Sequence, residues 1–196
     1  MSTPERARHR RPKPRAGVGT ALAPGLSLAL ALAASPAASQ ENPGLGVTAT
    51  AEQVAAWALT VLPDGTGLPP GSGTARAGEA IYAQKCLACH GAEGKDGPND
   101  RLAGGHGTLT DAAPVKTVGS YWPYATTVFD YIRRAMPFTQ PQSLTADETY
   151  ALTAYLLYLN GIIGQDETID AKTLPVIEMP NAVNFYRANE GAPGIR

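Results

Sequence analysis

The chain has 196 residues with 16 basic and 17 acidic side chains, and its formal net charge is −1. Residues 1–39 hold six of the basic side chains and one of the acidic ones, so residues 40–196 carry a net charge of −6. These 157 residues are enough for one domain with its own hydrophobic core. Because residues 40–196 are net acidic, no nucleic-acid partner is expected.

Residues 1–39 have the pattern of a secretory signal peptide. An apolar run over residues 22–34 follows a basic segment, and Ala37-Ala38-Ser39 suits cleavage by a signal peptidase after this tripeptide. The basic side chains are Arg6, Arg8, Arg10, Arg11, Lys13 and Arg15. Pro24 and Gly25 interrupt the run, which is shorter than the ~20 apolar residues of a membrane span. An exported protein without a stable membrane span is therefore predicted.

Residues 40–73 form an N-terminal segment, here called the strap, which is too short to be a domain. Thr50 and Gln53 have capping-box spacing at the start of a short predicted helix that contains Val54 and Trp57. Residues 63–73 are rich in proline and glycine and predict an ordered or semi-ordered run across the surface. We expect Trp57 to attach the strap to the domain that follows.

A domain is predicted over residues 74–163, and its first helix contains Gly78, Ile81, Tyr82 and Lys85. Gly78 and Tyr82 lie one turn apart on the same face of this helix. The helix leads directly into the pair of cysteines of the chain.

The pentapeptide Cys86-Leu87-Ala88-Cys89-His90 has the c-type haem attachment pattern, and the chain has no other cysteine. Two thiols three residues apart on one helical turn can each add to a haem vinyl group. The adjoining imidazole then faces the iron as its proximal ligand. One covalently bound haem c, held by Cys86, Cys89 and His90, is therefore predicted.

Two other roles are compatible with a cysteine pair of this spacing. A redox disulfide of this type usually follows a strand in a βαβ unit, and no such pattern surrounds Cys86 and Cys89. A zinc site could combine both thiols with His106 and one more ligand, but the chain has no second paired motif of the kind that closed zinc sites use. The residues favour covalent haem.

Residues 91–124 are rich in glycine and show little periodicity, which is unusual for a compact domain unless a cofactor supplies the missing core. The next predicted helix has Ala125, Val128, Phe129 and Ile132 on one face, and it ends at residue 136 because Pro137 follows. A cytochrome c-like haem domain with long loops fits this order of elements.

The last predicted helix is the most regular in the sequence. Thr145 and Glu148 have capping-box spacing, and Gly161 follows the end of the helix. Its apolar face consists of Leu152, Tyr155, Leu156 and Leu159. Residues 164–196, here called the arm, contain several prolines and predict an irregular C-terminal segment that wraps the domain. The predicted fold class is all-α, with one haem domain and irregular extensions at both ends.

A six-coordinate haem also needs a distal ligand, and Met136 is the favoured residue. It lies 46 residues after His90, and Pro137 holds the loop extended so that the thioether can face the iron. A methionine that fills a gap in the core remains the alternative. Met179 lies beyond the last helix, and His106 would give bis-histidine ligation with a lower reduction potential. Met136 ligation predicts a higher potential.

The haem propionates would need hydrogen-bond donors. Several aromatic and basic side chains in the glycine-rich stretch and in the helix that follows it could supply them. They are Lys116, Tyr121, Trp122, Arg133 and Arg134. The two arginines could equally form a solvated helix face.

Several of these segments together resemble the cytochrome subunit of sulfane dehydrogenase, SoxD, of the bacterial thiosulfate-oxidising Sox system. The resemblance covers nearly all of residues 40–196 and also extends, over the haem domain, to the cytochrome subunit of bacterial sulfite dehydrogenase. Its most specific segments are residues 63–73, 116–127, 129–138 and 155–161.

This resemblance implies a periplasmic haem subunit that accepts electrons from a molybdopterin dehydrogenase subunit on another chain. It assigns Cys86, Cys89 and His90 to the haem and Met136 to the distal position. Members of the SoxD group often have two haem domains, whereas this chain has one CxxCH motif. Onward transfer to a separate downstream cytochrome c is therefore expected.

The leading functional hypothesis is an electron-transfer subunit of a sulfane or sulfite dehydrogenase, with no catalytic residue of its own. No flavin or nicotinamide fingerprint is present, and no cysteine is left for molybdenum once haem takes both thiols. The main alternative is a free-standing soluble electron shuttle, for example to a terminal oxidase. A haem enzyme or gas sensor with an open iron is a third hypothesis.

Overall fold

Three helices of eleven or more residues form the centre of the fold. A computed structural model describes residues 45–186, and the predicted signal peptide lies outside these residues. The described residues from Thr48 onward belong to one compact unit. Its helices are α1 (Ala51–Trp57), α2 (Ala75–Lys85), α3 (Leu87–His90), α4 (Ala125–Ala135) and α5 (Ala146–Leu159). No helix within residues 45–186 is long and apolar enough to cross a membrane.

Both predicted capping boxes are present. The hydroxyl of Thr145 accepts a hydrogen bond from the Glu148 backbone N–H, and the Glu148 carboxylate accepts one from the Thr145 N–H. Thr50 and Gln53 make the same reciprocal pair at the start of α1. These bonds fix where α1 and α5 begin, because they satisfy N–H groups that have no partner within the helix.

Helix α5 is the centre of the hydrophobic core. The sequence predicted one apolar face, but every residue from 149 to 157 is buried, because α2, α4 and the strap surround the helix. The aromatic rings of Phe129 on α4 and Tyr150 on α5 lie 4.5 Å apart. The ring of Tyr82 on α2 lies 5.1 Å from that of Tyr155.

Helix α2 approaches α5 closely at Gly78. A Cβ atom at this position would lie 2.0 Å from the carbonyl oxygen of Ala151, so any larger residue would have to separate the two helices. Gly78 therefore lets the backbones of α2 and α5 touch. The same helix leads into Cys86, which directly follows its last residue, Lys85.

The strap and the arm meet in a two-stranded antiparallel sheet. Strand β1 (Ser72–Thr74) pairs with β2 (Thr168–Asp170), with Gly73 opposite Ile169. The arm does more than wrap the surface, because Ile169, Leu174 and Met179 are buried in the core. The all-α prediction is confirmed for the haem domain, and this short sheet is an addition that the sequence did not predict.

The predicted role of Trp57 is wrong, since its side chain is 86% exposed and α1 has no buried residue. The strap is instead held further along the chain, by hydrogen bonds between its backbone and side chains of α4 and α5. The Asp130 carboxylate accepts a bond from the Val61 N–H at 2.9 Å, and the Tyr150 hydroxyl donates to the Pro69 carbonyl at 2.9 Å. The side chains of Asp130 and Tyr150 are buried, whereas that of Trp57 is exposed.

Candidate haem site

Cys86, Cys89, His90 and Met136 all line one cavity of about 540 Å³. The first three lie at the junction of α2 and α3, and Met136 lies at the end of α4. The structure thus brings together the four site residues that the sequence predicted. The cavity is within the usual size range of cofactor and ligand sites.

The motif is presented by an interrupted helix. The Cys86 N–H donates to the Tyr82 carbonyl at 2.9 Å, and the Cys86 carbonyl accepts from Cys89 and His90 at 3.1 and 3.0 Å. Gly91 then leaves the helix with a φ of 77°, a conformation that favours glycine. One turn therefore carries both thiols and the imidazole to the cavity.

His90 is oriented by a backbone carbonyl. Its Nδ1 atom lies 2.9 Å from the carbonyl oxygen of Asp100. A carbonyl can only accept, so Nδ1 carries a proton, and in the neutral imidazole Nε2 is then the nitrogen with the free lone pair. This is the tautomer that a metal-ligating histidine requires, and the bond also makes the imidazole a stronger donor.

The Cys86 thiol is not suited to disulfide exchange. Burial, followed by the neighbouring Cys89, raises the pKa of Cys86 to about 11. Redox-active CxxC pairs instead have a thiol pKa below the ordinary value, which keeps the thiolate populated at neutral pH. Cys86 is half-buried and Cys89 is exposed, so one sulfur lies inside the cavity wall and the other nearer the surface.

Tyr82 supports the turn after His90. Its buried hydroxyl donates to the Gly91 carbonyl at 2.9 Å, and burial raises the pKa of Tyr82 to about 12, so the phenol stays neutral. The sequence placed Tyr82 on the apolar face of α2 but gave no sign of this second role. A tyrosine at helical spacing looks the same in either case.

Met136 is the best placed of the three candidate distal ligands. It caps α4, where its N–H donates to the Ile132 carbonyl at 3.0 Å, and its side chain is half-buried at the cavity. Met179 is 4% exposed in the hydrophobic core and does not line the cavity. His106 is exposed and also lies away from the cavity lining.

The cavity has two walls of different character. The helix wall is apolar, and the loop wall is formed by two irregular segments, residues 98–102 and 116–118. The helix wall consists of Tyr82, Val128, Ile132, Leu152 and Leu156. Within the described residues, no buried polar side-chain atom lacks a hydrogen-bond partner.

The candidate propionate donors divide into two groups. Lys116 and Trp122 line the cavity, whereas Tyr121, Arg133 and Arg134 do not. Arg134 instead pairs with the buried Asp130 one turn earlier, through its Nε atom at 3.0 Å and a second contact from Nη2. Tyr121 packs edge-on against Phe185, with ring centroids 5.5 Å apart.

Arg101 also lines the cavity, and sequence analysis missed it. Its Nε atom donates to the Lys95 carbonyl at 3.0 Å, which directs the side chain along the loop wall. With Lys85 and Lys116 it gives the cavity lining three basic side chains and one acidic side chain, Asp100. Arg101 also pairs with Asp96, 3.7 Å away and outside the lining. This local excess of positive charge is opposite in sign to the net charge of residues 40–196.

The described part of the chain does not bring together the ligands of a zinc site. Within residues 45–186 there is no cluster of three or more His, Cys, Asp or Glu side chains that could hold a metal ion. The residues present suit a haem c better, because they pair two thiols with a correctly protonated imidazole, a thioether and an extended apolar surface.

Two comparisons with known proteins agree with this geometry. The family model for cytochrome c oxidase, cbb3-type, subunit III matches residues 73–156. The crystal structure of the sulfane dehydrogenase SoxCD from Paracoccus pantotrophus is 48% identical in sequence with a TM-score of 0.70. The similarity covers 74% of this chain and 72% of that chain. The chain belongs to the SoxD-like cytochrome c family. No curated protein shows significant similarity to it.

Membership of the SoxD-like family confirms the predicted cytochrome c-like fold and the predicted resemblance. A SoxD-like cytochrome binds haem c and transfers electrons. The match over residues 73–156 starts in β1 and ends within α5, so it contains Cys86, Cys89, His90 and Met136. The individual roles of these residues remain predictions that the cavity geometry supports.

Proposed function

We propose that this chain is a monohaem c-type cytochrome in which Cys86 and Cys89 hold the haem covalently and His90 and Met136 are the axial ligands. The observation that carries the proposal is the convergence of these four side chains on one cavity, with His90 Nδ1 bonded to a backbone carbonyl at 2.9 Å. When bound, haem supplies a one-electron couple between ferric and ferrous iron.

The protein groups tune that couple. The bond from His90 Nδ1 to Asp100 strengthens the imidazole as a donor, which stabilises ferric iron. The thioether of Met136 and the apolar helix wall act in the opposite direction, because a soft ligand and a low local dielectric favour the ferrous state. The expected reduction potential lies above that of a bis-histidine haem.

The proposed electron donor is a molybdenum-cofactor subunit of a sulfur-compound dehydrogenase. The 48% identity to the structure described as the sulfane dehydrogenase SoxCD supports this assignment. Because the sequence has one CxxCH motif, the acceptor is proposed to be a separate cytochrome c. The proposed location is the periplasm, supported by the signal-peptide pattern of residues 1–39.

A face suited to electron exchange lies beside the cavity. Phe138 is 81% exposed and Tyr131 is 48% exposed, yet both also line the cavity. A partner that docks here would approach the haem closely without any rearrangement of the core. Lys85 and Lys116, both exposed, flank the same cavity.

Haem attachment is tested by expressing the full chain together with the c-type maturation machinery. The purified protein should be red and keep its haem absorbance after denaturation, since thioether bonds survive unfolding. Replacing both thiols, C86A with C89A, should remove the covalent haem, whereas H106A should not. A colourless wild-type protein with two free thiols contradicts the proposal.

The distal ligand is tested by Met136→His. The spectrum should become that of a bis-imidazole haem, and the reduction potential should fall. Met179→Leu is the matched control, because Met179 is a buried methionine away from the cavity lining. An unchanged spectrum in Met136→His would exclude Met136 as the ligand.

The partner is tested in the periplasm of the source cells. The haem of the full chain should be reduced by a sulfur substrate when a molybdoprotein co-purifies with it, and it should stay oxidised when that protein is removed. Reduction of the isolated monomer by several unrelated donors would favour the free electron shuttle instead.

A further inference from the structure

One buried amide joins the end of α5 to the loop wall. Asn160, which is 8% exposed, donates from Nδ2 to the Leu102 carbonyl at 3.0 Å and to the Leu156 carbonyl at 2.8 Å. Its Oδ1 atom accepts a bond from the Gly104 N–H at 3.2 Å. Two carbonyls face the nitrogen and one N–H faces the oxygen, so three polar bonds fix the side chain.

The segment that Asn160 holds is the one that orients His90. Asp100, whose carbonyl accepts from His90 Nδ1, lies two residues before Leu102. On its other side, the Asn99 N–H donates to the Cys89 carbonyl at 2.9 Å. The Asp100 carbonyl therefore lies between the Asn99 bond to the haem motif and the bonds made by Leu102. The Leu102 carbonyl accepts from Asn160, and the Leu102 N–H donates to the Gly94 carbonyl at 2.7 Å.

The second segment of the loop wall is shaped around the same amide. A Cβ atom on Gly119 would lie 2.4 Å from Asn160 Oδ1, so glycine at this buried position leaves the space that the amide occupies. The Leu102 carbonyl also accepts from the Val118 N–H at 3.3 Å. Asn160 thus lies between both segments of the loop wall.

We infer that Asn160 is a positioning residue that acts through Leu102 to keep the Asp100 carbonyl on His90 Nδ1. The inference rests on the proposed ligation of haem iron by His90. A weaker bond at Nδ1 makes the imidazole a poorer donor, and ferric iron then loses more stabilisation than ferrous iron. Loss of Asn160 therefore raises the reduction potential and exposes the Nδ1 proton to exchange.

The test uses the full chain with its haem and the variant Asn160→Leu, which keeps the bulk of the side chain and removes all three bonds. In the ferrous protein, the His90 Nδ1 proton should exchange with solvent about tenfold faster than in the wild type, as measured by NMR. The midpoint potential should rise. An exchange rate and a potential equal to the wild-type values, with only thermal stability reduced, would overturn the inference.

Thr153→Val is the matched control for a change that affects stability alone. Thr153 is fully buried on the same helix, and its hydroxyl donates to the Thr149 carbonyl at 2.7 Å, within α5 itself. This variant should melt at a lower temperature and keep both the wild-type exchange rate and the wild-type potential. A potential rise equal to that of Asn160→Leu would also overturn the inference.

Gly119→Ala decides the question if Asn160→Leu does not fold. The added methyl group displaces the amide of Asn160 without removing it, so it should change exchange and potential in the same direction by a smaller factor. Wild-type values for both would overturn the inference. Failure of the proposed function would be separately visible, because the wild-type protein itself would then lack a haem spectrum.

Discussion

The helix wall and the loop wall of the cavity are stabilised by different contacts. The helix wall consists of apolar side chains on α2, α4 and α5, packed around buried residues such as Phe129 and Leu157. The loop wall has no periodic pattern and is held by side chain-to-backbone bonds, among them Thr117 Oγ1 to the Gly104 carbonyl at 2.7 Å. Packing thus fixes one side of the cavity, and a few polar bonds fix the other.

This difference predicts how each wall fails. Loss of packing in the helix wall should lower the free energy of unfolding of the whole domain, because α2, α4 and β1 all pack against α5. Loss of a polar bond in the loop wall should change the haem surroundings more than it changes global stability. Substitutions in both walls and on the surface can test this contrast.

The largest effect is expected for Gly78→Val at the contact between α2 and α5. A side chain at Gly78 would lie within 2.0 Å of the Ala151 carbonyl, so the helices must separate, at a cost of more than about 3 kcal/mol in the free energy of unfolding. Urea unfolding measures this loss. Ala80→Val, exposed on the same helix, should cost less than about 1 kcal/mol. Equal losses would show that backbone contact does not hold the helix wall.

The next effect is expected for Leu152→Ala in the helix wall. Leu152 is 2% exposed and lines the cavity, and its truncation should lower the free energy of unfolding by about 3 kcal/mol. Leu62→Ala is the control, since Leu62 is 46% exposed in the strap. Similar midpoints for the two variants in urea would contradict a core role for this wall.

A smaller effect is expected for Thr117→Val in the loop wall. The variant keeps the shape of the side chain but removes the donor to Gly104 and the acceptor for the Ser120 N–H, at a cost of about 1–2 kcal/mol. The haem spectrum and potential should shift relative to Thr168→Val, whose threonine is exposed on β2. A stability loss as large as that of Leu152→Ala, without a spectral change, would remove the contrast between the walls.

The smallest effect is expected for Arg76→Ala on the surface. Arg76 and Asp166 form a bidentate pair at 2.7 and 3.1 Å, but both side chains are exposed and screened by salt. Hydrogen bonding to Arg76 holds the pKa of Asp166 below its ordinary value of 3.8. The small contribution is therefore present at neutral pH and lost as the pH falls through the lowered pKa. A large loss in the free energy of unfolding of Arg76→Ala, measured in urea at neutral pH and high salt, would contradict a small contribution from this pair.

Much of the helix wall could be predicted from the sequence. The capping box at Thr145 and the apolar spacing in α4 are local preferences that the fold keeps. The haem motif is equally local, so Cys86 and His90 could be assigned without any tertiary information. Met136 could be proposed from its order in the chain and the proline that follows.

The loop wall could not be predicted in this way. Asn160 acts through bonds to the backbone of Leu102 and Gly104, far away in the sequence. Arg101 bonds to the nearby Lys95 carbonyl, but neither residue belongs to a periodic pattern. The prediction for Trp57 failed for a related reason. An aromatic residue on a short helix is typical of a segment that docks on a domain. In this structure, however, no residue of α1 is buried.

The backbones of α2 and α5 are in close contact at Gly78 and Ala151. A contact of this kind contains no side chain that can grow, shrink or change rotamer. At this point the distance between α5 and α2, the helix that leads into Cys86, is set by backbone atoms. Val128 and Ile132 line the cavity from α4 and take no part in this contact, so we expect substitutions there to change the polarity of the cavity while α2 keeps its distance from α5.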